Sequence, residues 1–126
     1  MGLYTEKILE HARFPKKFGR IARPDVQVEE FNPLCGDRVR IELRFGEDGS
    51  VIEAGFSGEM CAIAKGSASI LLESIEGMKG DAITAVSDTQ VLEDLGGPIE
   101  RARVKCALLP VFALRGAIRS WDGASA

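Results

Sequence analysis

Three cysteines, Cys35, Cys61 and Cys106, offer the most chemistry in this sequence. An odd number of thiols in a short chain cannot be fully paired by internal disulfides, and a cytosolic setting keeps thiols reduced in any case. Each cysteine falls where one element is expected to give way to another. Cys35 stands in Asn32-Pro33-Leu34-Cys35-Gly36-Asp37, a turn signal ahead of a strand; Cys61 opens a helical pattern after Gly58; Cys106 stands where the segment from Arg101 to Lys105 enters the last helix. A thiolate at a helix start faces unpaired N–H groups and the positive end of the dipole, which lowers its pKa and raises its reactivity. That placement is expected for Cys61 and Cys106, and Lys105 adds a cation beside the second. Asp37 follows Cys35 by two residues, and Gly36 between them lets the backbone fold both side chains toward one metal. Three thiolates and a carboxylate make a tetrahedral set for zinc, and three soft thiolates with an oxygen donor also suit an iron–sulfur cluster. Spacing says less. There is no C-x-x-C, and 25 and then 44 residues separate the three cysteines, so only the fold can assemble them. Free cysteines also serve as small buried hydrophobes, and placement alone leaves a shared metal site and three scattered structural cysteines both open.

The elements that must position these groups are readable from periodicity. Leu3 to Arg13 carries Leu3, Ile8, Leu9 and Ala12 at helical spacing and stops before Pro15, giving an N-terminal helix. Pro15 to Pro24 is basic and loop-like, and Val26 to Phe31 reads as a strand. In Arg38 to Phe45, Val39, Ile41, Leu43 and Phe45 fall on one face and charges fill the other, as a half-buried antiparallel strand requires. Gly46 to Gly49 is a turn, and Val51 to Phe56 alternates again through Ile52, Ala54 and Phe56, so the two strands form a hairpin. After Gly58 the period becomes helical: Cys61, Ala64, Ala68, Leu71 and Ile75 share a face, and Gly77 ends the helix. Asp81 to Leu95 reads as one weak or two short helices ending at Gly96-Gly97-Pro98. A last helix is expected from about Ala107 to Arg119, with Pro110 in its first turn, where a missing N–H costs nothing. Strands first and helices later give an α+β fold: a small antiparallel three-stranded sheet with helices packed on one face.

Composition bounds the function. At 126 residues, with 45% apolar and 28% charged residues, the chain is expected to be one domain, residues 1–126. A net charge of −3 argues against a nucleic-acid protein that relies on phosphate neutralisation. The longest apolar run, around Ala107 to Leu114, is interrupted by Pro110 and falls short of a membrane span. The N-terminus lacks the basic-then-apolar pattern of a signal peptide, so the expected compartment is the cytoplasm. His11, the single histidine, lies on the N-terminal helix as a surface or capping residue, which leaves a cysteine hydrolase without a base. Arg38, Arg40 and Arg44 read as a solvated strand face. Trp121 reads as a packing anchor, and Gly96-Gly97-Pro98 as a loop rather than a phosphate cradle.

The local sequences around the cysteines add a resemblance. Asn32 to Val39 resembles the first-cysteine motif of the IscU/NifU N-terminal family. Gly58-Glu59-Met60-Cys61-Ala62-Ile63-Ala64, with Ser67-Ala68-Ser69, resembles the second, and Val104-Lys105-Cys106-Ala107-Leu108-Leu109 the third. Glu10 to Pro15 and Gly19 are similar to the family's N-terminal stretch. The resemblance implies a transient [2Fe-2S] cluster, or zinc as alternative occupant, on Cys35, Cys61, Cys106 and Asp37. It also implies that Asp37 promotes cluster release, that sulfur arrives as persulfide from a cysteine desulfurase, and that apo iron–sulfur recipients or carriers take the cluster. Lys105 stands where the IscU branch has a histidine, and the Leu-Pro-Pro-Val-Lys segment read by that branch's Hsp70 chaperone is absent. Both features resemble the SufU branch, whose members act as zinc-dependent sulfur acceptors, although that branch carries an insertion before the third cysteine that this chain has little room for. Two functions are therefore expected as alternatives. One is an iron–sulfur scaffold without turnover. The other is a zinc-dependent sulfurtransferase, in which a thiolate, with Cys106 the candidate, leaves the metal to accept sulfur.

Overall fold

A computed structural model describes residues 6–33 and 36–125 of the chain. Strands β1 (Val26–Asn32), β2 (Asp37–Phe45) and β3 (Val51–Ser57) form an antiparallel sheet in the order β1-β2-β3. In β2 the expected alternation is realised: Val39, Ile41 and Leu43 are fully buried and Phe45 nearly so. In β3 the alternation differs from expectation. Arg44 pairs with Glu53, but Phe45 pairs with Val51, so Ile52 is the extra residue of a bulge. Ile52 is therefore 47% exposed, while Val51 takes the core position opposite Phe45. Cross-links at the strand's start hold that shift: the Val51 N–H donates to the Met78 carbonyl, and the Gly77 N–H to the Val51 carbonyl.

The helices α1 (Glu6–Arg13), α2 (Ala62–Ile75), α3 (Gly80–Thr84), α4 (Asp88–Asp94) and α5 (Val104–Ser125) complete the α+β fold. The Leu3 end expected for α1 lies outside the described residues. Ala68, Leu72 and Ile75 of α2, with Leu109, Ala113, Leu114, Ala117 and Ile118 of α5, cover the apolar face of the sheet. α2 is buried nearly all round, because α1 crosses it on the side away from the sheet. A Cβ at Gly66 would meet the Ile8 carbonyl oxygen at 2.6 Å, so only glycine allows so close a crossing. Trp121 stacks on Phe45 with ring centroids 4.8 Å apart, the anchor expected of it.

Two further expectations are corrected. α5 begins at Val104, directly after a 3₁₀ turn over Arg101–Arg103, and runs to Ser125, so Pro110 is its seventh residue and lies beyond the first turn. The polar run from Arg101 to Lys105 masked that start, and tertiary packing of Leu109, Ala113 and Leu114 outweighs the lost N–H of the proline. The charged face of β2 is also partly roofed. Glu42 is only 1% exposed, under the segment joining α1 to β1. That segment donates the Gly19 N–H to the Phe56 carbonyl and the Ile21 N–H to Glu42 Oε1, and passes over Gly55, where a side chain would strike it. Arg20 and Arg40 stand 3.5 and 3.7 Å from Glu42 Oε2 as ion pairs. Of the arginines expected in solvent, Arg38 is exposed, while Arg40 and Arg44 are half-buried. Among the described residues no helix is long and apolar enough to cross a membrane.

Candidate metal centre

The N-termini of α2 and α5 meet the start of β2. Between β1 and β2 the chain closes a tight turn, with the Gly36 N–H donating to the Asn32 carbonyl and Gly36 at φ +76°. The turn delivers Asp37 to the first position of β2; Cys35 lies outside the described residues. After β3 the chain folds back through Gly58, at φ +128°, where a Cβ would lie 2.2 Å from the Arg38 carbonyl oxygen. The Arg38 N–H donates to the Glu59 carbonyl at 2.7 Å, which lays the segment before α2 across β2. Cys61 is thereby the N-cap residue of α2 and sits above Asp37. Its own side chain makes no cap. Asp37 supplies one from another element: its Oδ1 accepts the Cys61 N–H at 3.0 Å. Cys106 is the third residue of α5 and is 3% exposed.

Ligand atoms of Asp37, Cys61 and Cys106 all lie within 4.8 Å of one another. Three of the four expected site residues are thus brought together from three elements. Asp37 is itself 5% exposed, and its Oδ2 is buried with no hydrogen-bond partner. A buried carboxylate oxygen with no donor is costly unless something charged faces it. Two thiols at coordinating range with an unsatisfied carboxylate oxygen are a donor set that fits zinc or thiolate-bound iron. Cys61 and Cys106 otherwise pack with the apolar side chains of Ile8, Ile63, Ile70, Leu95 and Ala107.

The sequence expectation of a lowered thiol pKa at Cys61 is reversed. Burial pushes the Cys61 thiol above its ordinary range, and the adjoining Asp37 pushes the same way through its hydrogen bond and charge. The backbone N–H groups of Ala64 and Ile63 favour the thiolate, as the helix-start argument required, but are outweighed. A cation between the sulfurs would turn the same carboxylate from an opponent of the thiolate into a fellow ligand.

Lys105 is exposed. His11 is outside the site, as expected, but it is more than a surface residue: its Nδ1 lies 2.7 Å from Ser69 Oγ, which also accepts the Lys16 N–H at 2.7 Å. Sequence reasoning took Ser67 and Ser69 only as part of the second-cysteine motif and gave them no role of their own; both are fully buried on α2. The signal was present, since two hydroxyls on a helix with so little polar surface need partners inside the protein.

The three-stranded sheet and the rim formed by β2, α2 and α5 define an α+β protein with two thiols and a carboxylate gathered where they could hold a metal ion. The chain belongs to the NifU-like N terminal domain family, which it matches over residues 3–126. It is 32% identical to the zinc-dependent sulfurtransferase SufU of Bacillus subtilis over 141 aligned positions, covering 96% of this chain and 92% of that one. It is 27% identical to the iron–sulfur cluster assembly scaffold protein IscU of Azotobacter vinelandii over 121 positions, covering 94% and 93%. Among solved structures it is similar to the N-terminal NifU-like protein of Brucella abortus, with a TM-score of 0.80, 24% identity and coverage of 96% and 95%, a likeness of fold.

Proposed function

We propose that the protein, acting as one unit over residues 1–126 in the cytoplasm, is a scaffold on which an iron–sulfur cluster is assembled and handed on. The observation that carries the proposal is the buried Asp37 carboxylate, one of its oxygens without a hydrogen-bond partner, gathered within 4.8 Å of the Cys61 and Cys106 sulfurs. Cys61, Cys106 and Asp37, joined by Cys35 from the turn between β1 and β2, would hold a [2Fe-2S] cluster as cargo. Sulfur comes from a cysteine desulfurase: a Cys106 thiolate attacks the outer sulfur of the donor's persulfide, a new S–S bond forms, and the donor departs as its thiolate. Reduction of that sulfur to sulfide takes two electrons from an external thiol reductant. Because Cys106 is 3% exposed, delivery requires a docked donor that displaces its cover. Asp37 is the hardest ligand of the four and so the point at which a recipient apo-protein's ligand enters.

A second reading, zinc-dependent sulfur transfer, is favoured by the relative at 32% identity and by Lys105, which is exposed and, when protonated, has no lone pair for a metal. Alignment length weighs the other way. The sulfurtransferase aligns over 141 positions, more than the 126 residues of this chain, so segments of it have no counterpart here, whereas the scaffold aligns over 121. Anaerobic incubation with desulfurase, cysteine, a thiol reductant and ferrous iron, with and without prior zinc removal, separates the two. Cluster absorption supports the scaffold. Persulfide on the zinc-loaded protein with no cluster under either condition supports sulfur transfer.

A further inference from the structure

We infer that Ser67 is a positioning residue of the metal centre, its hydroxyl fixing the α2–α5 register that sets the separation of Cys61 from Cys106. The inference rests on the metal-binding reading above. The two cysteines stand at the starts of two helices with 44 residues between them, so their spacing depends on how those helices dock. Ser67 is fully buried, and its Oγ donates to the Ala107 carbonyl at 2.6 Å, one residue beyond Cys106. The bond runs between elements, from the middle of α2 to the first turn of α5, so it links the two helices directly beside the ligand. What the hydroxyl adds is direction. The surrounding contacts between α2 and α5 include the apolar Ile63, Ile70 and Ala107, whose attraction has no direction of its own. A hydrogen bond at one residue from the ligand has one.

Ser69 provides the internal comparison. It lies on the same helix and is equally buried, but its partners are His11 and the Lys16 N–H on the α1 side, away from α5. Losing either hydroxyl removes a buried bond; only loss of Ser67 should alter the distance between the sulfurs.

The test uses the full chain with Ser67→Ala, Ser67→Thr and Ser69→Ala. In cobalt(II) titrations, Ser67→Ala should lower affinity on the order of tenfold or more and weaken the visible bands of tetrahedral thiolate-bound cobalt. Ser69→Ala should leave both as in wild type, and Ser67→Thr should restore them. A metal-free arm, in a Cys35→Ser background, follows diamide oxidation of Cys61 and Cys106 to their disulfide by peptide mass spectrometry; Ser67→Ala should slow it and Ser69→Ala should not. If Ser67→Ala does not fold, Ser67→Thr and Ser67→Val, alike in shape and differing in the hydroxyl, carry the same comparison. Unchanged cobalt spectra and diamide rates in Ser67→Ala overturn the inference, as do equal losses in Ser67→Ala and Ser69→Ala. A wild-type protein without thiolate–cobalt bands, whose diamide rates still separate the two serines, overturns the metal-binding reading and leaves the positioning role standing.

Discussion

Asp37 has two oxygens with two different occupations. Oδ1 accepts the Cys61 N–H at the start of α2, and Oδ2 is buried with no hydrogen-bond partner. The two duties can be separated by substitution. Asp37→Ala removes the cap, worth about 1 kcal/mol, but also relieves the buried Oδ2 that has no donor, so the metal-free protein should melt no more than roughly 4 °C lower. Asp37→Asn keeps an acceptor for that N–H and should melt near wild type. Both substitutions remove the labile oxygen anion, so a reconstituted cluster should last longer in air and transfer more slowly to an apo-ferredoxin. Absorbance decay checks this, and equal lifetimes in all three proteins would exclude Asp37 from the cluster. The raised Cys61 thiol carries a pH dependence of known sign. The folded, metal-free protein favours the protonated thiol, so this contribution to stability is full below the ordinary thiol value of 9.0 and is lost as pH rises through the raised one. Alkylation of Cys61 in the metal-free protein should therefore reach half its maximal rate at higher pH than in an unfolded control, and Asp37→Asn should bring that midpoint down. Sequence alone placed Asp37, Cys61 and Cys106 at element ends, since turn and helix signals are local. It misjudged the Cys61 thiol because burial and the through-space carboxylate depend on tertiary structure.

At the scale of elements, α2 is held from three sides. Gly66 is the position where α1 presses hardest, with the Ile8 carbonyl oxygen 2.6 Å from where a Cβ would stand. Helix propensity alone predicts that Gly66→Ala gains about 1 kcal/mol. The crossing predicts the reverse, a loss of about 1–3 kcal/mol as α1 is forced outward, with Leu9 and the His11–Ser69 contact loosened. Urea unfolding decides between the two signs. The strands and helices were legible because their periods are strong, as in Val39 to Phe45. The bulge at Ile52 was not, since Val51 and Ile52 are both apolar and only pairing with Phe45 chooses between them. The start of α5 was missed for a related reason: Arg101 to Lys105 has loop-like polarity, and the helix there is secured by its neighbours rather than by its own composition.

For the whole molecule, the rim joins β2, α2 and α5, so a bound metal cross-links the sheet to two helices. Protein purified in air should carry about one zinc per chain, because tetrahedral thiolate–carboxylate sites take it readily. Elemental analysis showing a folded, metal-free sample would count heavily against the shared site. Stripping the metal should lower the melting temperature and re-addition should restore it, with about 2.7 kcal/mol of stabilisation at a hundredfold excess over Kd. Each of Cys35→Ser, Cys61→Ser and Cys106→Ser should abolish cluster assembly; full assembly in all three would exclude the scaffold function. The one-sided helical cover of the sheet was legible from the order of strands and helices. The roof over Glu42 was not, because the basic stretch from Pro15 to Pro24 has no period that would announce a contact with Gly55 and Phe56.

That the rim is closed by α5 has a consequence for synthesis. Cys106 leaves the ribosome after Cys61 and the 44 residues between them, a delay of several seconds at roughly 5–20 residues per second. In that interval the nascent chain exposes Cys61 beside an Asp37 carboxylate, without the apolar packing or the last sulfur. α5 also lies across β1 and β2 and supplies most of the helical cover of the sheet's apolar face, so the site and the core are finished by the same docking event. On the scaffold reading, a growing chain would therefore lack the complete ligand set until α5 docks, and loading of the full centre would follow folding.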